Sequence, residues 1–237
     1  YNRQTKADAL YWRGEAYYRL NRMEEAKRNF TDYLQLTQQT NNEMYALAHY
    51  NLGYIAFHQK DYVQAQNWFR KYISLEKGEN KTALADAYNR IGDCYLDVRN
   101  FDEAKHYYSQ AEAMNTPSGD YSFYQLALVS GLQKDYSGKI TWLNRLAGKY
   151  PASPYAISAL YEKGRSYVLM DNNQQAITSF KELLAKYPES PVSRKAAAEI
   201  GLLYYQNEDY NQAIDAYKQV VQKYPGSDEA RLAMRDL

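Results

Sequence analysis

The sequence predicts an all-α protein, a right-handed superhelical solenoid of about six helix-turn-helix units followed by a terminal capping helix. Three observations support this prediction: a repeat of 35 to 39 residues, apolar residues at helical spacing within each repeat, and prolines at the repeat ends. The repeats align on one position, called here the anchor, which holds Gly14, Gly53, Gly92, Ala127, Gly164 and Gly201.

Each unit reads as two helices separated by a short polar turn. Twelve residues after the anchor stands a small residue, which is Ala26, Ala65, Ala104, Ala176 or Ala213, with Lys139 as the exception in copy 4. Sixteen residues after it stands a large apolar one, which is Phe30, Phe69, Tyr108, Leu143, Phe180 or Tyr217. Glycine inside a helix costs up to about 1 kcal/mol relative to alanine. Its recurrence therefore predicts that the paired helices approach too closely at the anchor for a side chain.

This pattern resembles the tetratricopeptide repeat family, from about residue 7 to residue 226. In the last three copies a proline follows the second helix, at Pro151, Pro188 and Pro225, and proline ends a helix because it lacks an N–H. The "KYP-x-S" wording of these junctions resembles repeats of bacterial cell-envelope proteins, namely the periplasmic partner of the Tol–Pal system and the outer-membrane assembly lipoprotein. That likeness implies a periplasmic or outer-membrane-associated location. A cytoplasmic repeat protein is the alternative.

The repeats divide the chain into three segments. Residues 1–114 hold copies 1 to 3, and residues 115–226 hold copies 4 to 6. The "NTPSGD" stretch at 115–120 predicts a bend between them. Residues 227–237 are expected to start a capping helix or a further repeat, because a stacked array needs its last apolar face covered.

Composition argues against several classes of function. The net charge is +1, from 29 basic and 28 acidic residues that are interspersed, so no positive field favours nucleic acid. Nothing approaches the 18 apolar residues that a membrane-spanning helix needs, so this segment should not insert into a bilayer. The single cysteine, Cys94, is expected to be a small buried residue.

No constellation of residues points to catalysis, so we expect no enzyme and no cofactor. His49 takes a packing position of the first helix, His58 has no carboxylate at metal-site spacing, and His106 is expected to be exposed. Acidic pairs such as Glu24–Glu25 stand where second helices start, where negative charge suits the helix dipole. The oligomeric state is left open.

Tyrosine is unusually frequent, with 27 residues, and helical geometry places many of them on the concave face lined by first helices. The positions predicted to form a partner-binding groove are Tyr11, Tyr18, Tyr50, Tyr54, Phe57, Asn89, Tyr121, Tyr124, Tyr161, Arg165 and Tyr205. The family's clamp for carboxylate tails wants lysine and asparagine where copy 1 has Tyr11 and Glu15. The resemblance therefore does not imply that clamp.

Two interpretations of the tyrosines stay open. The rings pack against the neighbouring unit and rigidify the groove, or they are exposed and bind an extended or helical peptide. The function favoured by the sequence is a non-enzymatic scaffold that binds a protein or peptide partner. The alternative is a carbohydrate-binding module of an outer-membrane glycan-capture system, since tyrosine rings also stack on sugars.

Overall fold

The computed structural model describes residues 2–38 and 42–237, and within these ranges it contains thirteen α-helices. Their bounds are α1 Arg3–Arg19, α2 Met23–Leu36, α3 Glu43–His58, α4 Tyr62–Leu75, α5 Lys81–Asp97, α6 Phe101–Ala113, α7 Gly119–Leu132, α8 Tyr136–Lys149, α9 Ala156–Leu169, α10 Asn173–Lys186, α11 Pro191–Gln206, α12 Tyr210–Lys223 and α13 Asp228–Asp236. The predicted all-α class is confirmed. The first twelve helices form the six predicted pairs, and α13 follows as the thirteenth.

The predicted register holds in every pair. Each second helix begins nine residues after the anchor, as Met23 follows Gly14 and Tyr136 follows Ala127. Ala127 therefore occupies the same place as the five glycines, although it is the one non-glycine anchor. All six anchors are buried.

The same turn joins the two helices of every pair. The residue seven after the anchor is left-handed, with φ between +57° and +61°, in Asn21, Lys60, Arg99, Lys134, Asp171 and Glu208. The N–H of the next residue donates to the carbonyl three after the anchor, as from Asp61 to Ala56 at 2.9 Å. This pattern is a Schellman motif, which satisfies carbonyls left open at a helix end. In five pairs that next residue, Asp or Asn, also caps the second helix with its side chain.

The five anchor glycines lie against the ring sixteen residues later. A Cβ built on each glycine would come closer than 3.0 Å to an aromatic carbon of Phe30, Phe69, Tyr108, Phe180 or Tyr217. These distances are shorter than close-packed atoms can tolerate. The predicted close approach of the paired helices is therefore confirmed, and the ring on the second helix is what requires glycine on the first.

Copy 4 solves the same packing problem with other residues. Its anchor is Ala127, and the position sixteen later holds Leu143 rather than a ring; both are buried. Lys139 takes the place of the small residue, and its stem lies beside Gly131, where an added Cβ would be 3.0 Å from Cδ. The Lys139 ammonium reaches α9 and donates to Glu162 Oε2 at 2.7 Å. Lys139, which departs from the sequence pattern, therefore forms an ion pair between α8 and α9.

The proline junctions end one helix and start the next. Ser190 and Ser227, two residues after their prolines, cap α11 and α13 by accepting from backbone N–H groups. Pro191 then occupies the first turn of α11, where its missing N–H leaves no hydrogen bond unmade. The Tyr224 hydroxyl donates to the Pro188 carbonyl at 3.0 Å, which ties two successive junctions together.

The chain forms two compact units, unit 1 over residues 1–122 and unit 2 over residues 123–237. The sequence placed the division after residue 114, ahead of α7. Unit 1 extends further because the start of α7 is held by α5. Tyr121 donates to Asp93 at 2.7 Å and Ser122 donates to Asn89 at 2.8 Å.

Candidate functional site

Two tyrosines of α3 share one carboxylate of α5. The Tyr50 hydroxyl donates to Asp86 Oδ2 at 2.6 Å, and the Tyr54 hydroxyl donates to the same oxygen. Their rings meet edge to face at 5.1 Å, and Tyr54 lies 5.3 Å from the buried Phe69 ring in a second edge-to-face contact. Tyr50 and Tyr54 thus tie copy 2 to copy 3 while staying half-buried.

One arginine of unit 1 contacts both carboxylates and aromatic rings of this region. The Arg90 guanidinium lies 3.3 Å from Asp93 Oδ2 and 4.0 Å from Asp86 Oδ1. Its Cζ lies over the Phe57 ring at 5.8 Å and over the Tyr121 ring at 5.0 Å, so the cation interacts with two aromatic rings. We call the set Tyr50, Tyr54, Phe57, Asp86, Arg90, Asp93 and Tyr121 the α3–α5 cluster.

Burial shapes the charges of the α3–α5 cluster. Burial raises the pKa values of the Tyr50 and Tyr54 hydroxyls, and the Asp86 charge raises them further, so both stay protonated donors. Burial also raises the pKa of Asp93, although Arg90 and the hydroxyls of Tyr108 and Tyr121 oppose that shift. The cluster is therefore a set of rings locked in place by hydrogen bonds from their hydroxyls and by one arginine.

Three predicted groove residues of unit 1 lie elsewhere. Tyr11 is buried and donates to Glu15, and Asn89 is buried and accepts from Ser122. Because their side chains are covered, Tyr11 and Asn89 support the first helices from within and present no surface to a partner. Tyr18 is half-buried, and its hydroxyl shares a 3.1 Å hydrogen bond with His58 of α3.

Unit 2 places its predicted groove residues in three separate spots. Tyr161 donates to Glu199 Oε1 at 2.8 Å, and Arg165 reaches Glu199 Oε2 at 3.3 Å, so this pair repeats the carboxylate tie of unit 1. Tyr124 stacks on Tyr155 with centroids 5.1 Å apart. Tyr205 is 57% exposed and is the most open of the predicted tyrosines.

Sequence reasoning missed Arg90 and Glu199, and it placed Asp86 and Asp93 on the concave face without including them among the binding residues. Arg90 and Glu199 both stand two residues before an anchor, a position that the groove prediction did not include. A signal was present, since Asp86, Arg90 and Asp93 follow the i, i+4 and i, i+3 spacings at which opposite charges meet on a helix. Which of the rings contact a partner stays a prediction.

The remaining reactive side chains lie where the sequence placed them. Cys94 is buried, and burial raises the pKa of its thiol to about 12, so it stays protonated. His49 is buried with Nδ1 2.8 Å from the Tyr45 carbonyl, and burial lowers its pKa. Within residues 2–38 and 42–237, no group of three histidine, cysteine or acidic residues is arranged to hold a metal ion. No helix of the described chain has both the length and the apolar character needed to cross a bilayer.

Family profiles cover most of the chain. Profiles described as tetratricopeptide repeat match residues 8–36, residues 46–116, and residues 89–154 together with 161–228. A curated protein, the uncharacterized protein ycf37 of Guillardia theta, is 40% identical over 62 residues. That match covers 26% of this chain and 35% of the relative, so the chain spans about a third of the relative's length.

Solved structures share the fold at low sequence identity. The C-terminal part of a TPR repeat-containing protein from Cytophaga hutchinsonii has a TM-score of 0.76 at 17% identity, covering 96% of this chain and 87% of that one. YrrB, described as a TPR protein with an unusual peptide-binding site, has a TM-score of 0.61 at 17% identity over 88% of this chain and 98% of its own. PilF of Pseudomonas aeruginosa has a TM-score of 0.61 at 19% identity over 99% of both chains.

Proposed function

This chain belongs to the tetratricopeptide repeat family, and we propose that it is a binding scaffold whose α3–α5 cluster holds a segment of a partner protein. The observation that carries the proposal is the state of the cluster's rings. The tyrosine hydroxyls are already engaged, while the rings of Tyr54, Phe57 and Tyr121 remain half-buried rather than covered.

Fixed rings are well suited to binding. A side chain that is ordered before the partner arrives loses little conformational entropy on binding. Tyrosine also offers a large contact area with few rotatable bonds. In the α3–α5 cluster, Asp86 and Asp93 hold the tyrosine hydroxyls and Arg90 holds the ring faces, so the surface is pre-organised.

The two interpretations of the tyrosines therefore combine. The hydroxyl ends hold neighbouring repeats together, and the ring edges left open form the contact surface. The peptide-binding site named for YrrB supports a peptide or protein as the class of partner. Binding, with no chemical step at the cluster, is the activity proposed for the chain.

We further propose a location in the bacterial cell envelope, periplasmic or associated with the outer membrane. The support is the "KYP-x-S" wording of the junctions at Pro151, Pro188 and Pro225. Fractionation with an antibody to the chain tests this location, and recovery with cytoplasmic markers would contradict it.

A carbohydrate ligand is the second candidate. The observation in its favour is that Asp86 and Asp93 lie among tyrosine rings in one patch, as sugar sites require. Both carboxylates, however, already accept tyrosine hydroxyls and contact Arg90. Few acceptor positions remain for sugar hydroxyls, so a peptide fits this surface better.

Site-specific photo-crosslinking tests the proposed site. The photoreactive residue p-benzoylphenylalanine replaces Tyr54 or Phe57 in separate variants, which are irradiated in cell-envelope extract. Val63 of α4, which is 70% exposed, gives the matched control position. We expect the same protein adduct from the Tyr54 and Phe57 positions and none of that mass from Val63.

Other outcomes separate the candidates. Adducts of equal yield at all three positions would show non-specific capture and contradict the site. If glycosidase treatment removes the adduct, and removing contaminating proteins from the extract does not, the result would favour the carbohydrate candidate.

A further inference from the structure

A second pair of contacting positions recurs in copies 2, 3 and 4. The residue four before the anchor meets the residue fifteen after it. The ring centroids are 5.7 Å apart for His49–Trp68, 6.2 Å for Tyr88–Tyr107 and 5.9 Å for Phe123–Trp142. In copies 2, 3 and 4, therefore, two aromatic side chains lie between a first helix and its second helix, and in copy 3 they leave a smaller groove of about 310 Å³.

The aromatic pair is absent from copy 1, which has Leu10 and Asn29 at these positions, and from the last two copies. Copy 5 has Leu160 and Ser179 at the two positions, and copy 6 has Ala197 and Ala216. A groove of about 420 Å³ opens at the copy 6 alanines, between α10, α11 and α12. Pockets that bind small ligands span ~300–1,000 Å³, so this groove is of binding size.

The groove has an apolar floor and a mostly cationic rim. Leu184, Ala197, Ile200 and Ala216 line the floor. Tyr204 forms one side, with Lys181 donating to its hydroxyl at 2.7 Å and lying 5.3 Å from its ring. Lys223 and Asp215 complete the charged lining, which gives two cations to one anion.

The same place in copy 3 shows what fits there. Its lining includes Arg70, Tyr88 and Tyr107, at the register positions of Lys181, Ala197 and Ala216. The Arg70 guanidinium lies 5.3 Å from the Tyr107 ring and 5.6 Å from the Tyr95 ring, which stack on each other. Lys181 is therefore placed to contact an aromatic ring bound in the copy 6 groove, as Arg70 contacts Tyr107 in copy 3.

We propose that the groove between α10, α11 and α12 binds an aromatic side chain, tyrosine or tryptophan, from an acidic segment of a partner protein. The aromatic ring takes the place that Tyr107 fills in copy 3. Carboxylates beside it pair with Lys181 and Lys223 at the rim. The partner's ring thus replaces the ring that the chain itself supplies at this position in other repeats.

The groove is separate from the α3–α5 cluster. It lies in unit 2 and uses Ala197, Ile200 and Tyr204 of α11, whereas the groove prediction concerned Tyr205 on another side of that helix. The proposal therefore goes beyond the proposed function. Variants of Tyr54 and Phe57 leave it untouched, so the two can fail independently.

NMR of alanine methyl groups reports directly on ligand binding in the groove, because Ala197 and Ala216 carry methyl groups in its floor. The ¹³C-methyl-labelled chain is titrated with three end-blocked peptides, EEYEE, EEAEE and KKYKK. We expect ring-current shifts at the Ala197 and Ala216 methyls with EEYEE, at least tenfold weaker binding of KKYKK, and no saturable shift with EEAEE. Equal shifts with EEYEE and EEAEE, or none with either, would overturn the proposal. Equal binding of KKYKK would overturn its acidic part.

Two kinds of variant extend the test: substitutions that fill the copy 6 groove, and a double substitution that opens the copy 3 groove. Ala216→Tyr and Ala197→Leu restore residues found at these registers in copies 3 and 5, so each should fold and weaken EEYEE binding at least tenfold. Unchanged affinity in either folded variant would contradict the site. Conversely, Tyr88→Ala with Tyr107→Ala opens the copy 3 groove beside Arg70. It should raise the stoichiometry of EEYEE from one to two, and a stoichiometry of one would overturn the register argument.

Discussion

Gly53 of α3 lies so close to Phe69 of α4 that a Cβ on the glycine would be 2.8 Å from two carbons of the ring. The ring is fully buried, so it cannot move into solvent to make room. This contact recurs at all five glycine anchors. It sets the distance between the helices of a pair and so underlies every surface described above.

Adding a methyl group at Gly53 should destabilise the chain. Overpacking a close-packed core costs about 1–3 kcal/mol, and we expect Gly53→Ala to fall in this range. Gly53→Leu should cost more, by several kcal/mol, because the whole side chain must enter the same space. Urea unfolding followed by circular dichroism measures both changes.

Gly148 provides the matched control. It lies in α8, is exposed, and a Cβ there would meet nothing within 4 Å. Gly148→Ala should therefore stabilise by up to about 1 kcal/mol through helix propensity alone. Equal effects at Gly53 and Gly148 would show that the anchor contact does not determine the need for glycine.

The copy 4 residues predict a compensating pair. Ala127 stands opposite Leu143 where the other copies have glycine opposite a ring. Phe69→Leu should therefore relieve part of the cost of Gly53→Ala, with a coupling of about 0.5–3 kcal/mol in a double-mutant cycle. Strict additivity of the two changes would argue that Ala127 and Leu143 are unrelated substitutions.

The turns predict a stabilising substitution. Lys134 is exposed and has φ of +61°, a conformation that glycine adopts without the steric cost of a Cβ. Lys134→Gly should stabilise by about 0.5–1 kcal/mol, after the entropy that glycine gains in the unfolded chain is subtracted. Lys218→Gly, at an exposed position inside α12, should instead destabilise by about 1 kcal/mol. Thermal unfolding of both variants decides whether the left-handed turn is the cause.

Much of the fold could be predicted from the sequence because packing in a repeat depends on positions that recur. The anchor, the small residue and the ring each appear several times, so one irregular copy did not hide the register. The division at residue 114 differs from that of the structure because Tyr121 and Ser122 bond to α5, and single hydrogen bonds leave no periodic signal.

The candidate site was less predictable for a physical reason. Helical geometry gives the direction in which a side chain leaves its helix, but not whether a neighbouring helix covers it. Tyr11 and Tyr54 share the predicted face, yet Tyr11 is buried and Tyr54 is half-buried. The pairing of Tyr50 and Tyr54 with Asp86 depends on how two copies stack, which one helix's periodicity does not contain.

Alkaline pH should weaken the fold through Tyr161. Burial, with the nearby Glu199 carboxylate, raises the pKa of Tyr161 to about 12, against an ordinary value near 10. Between these values the unfolded chain ionises this phenol while the folded chain keeps its proton. The unfolding free energy therefore falls as pH rises from 10 to 12.

Tyr161→Phe removes this ionisation from both states. Its urea midpoint should fall less than that of the parent between pH 9.5 and 11.5, with the other titrating groups common to both proteins. A parallel fall of the two midpoints would show that Tyr161 titrates alike in the folded and unfolded chain.

The claim that the α3–α5 cluster binds a partner is tested most directly by the affinity of the crosslinked partner for two variants of Tyr54. Tyr54→Phe keeps the ring and loses only the hydroxyl bond to Asp86, whereas Tyr54→Ala loses the ring. An aromatic contact at the centre of an interface contributes about 2 kcal/mol or more, which is roughly a thirtyfold change in Kd. Isothermal titration calorimetry should show Tyr54→Phe binding within about threefold of the parent and Tyr54→Ala binding at least thirtyfold more weakly, with unchanged helical circular dichroism in both. A folded Tyr54→Ala variant that binds as tightly as the parent would contradict the account.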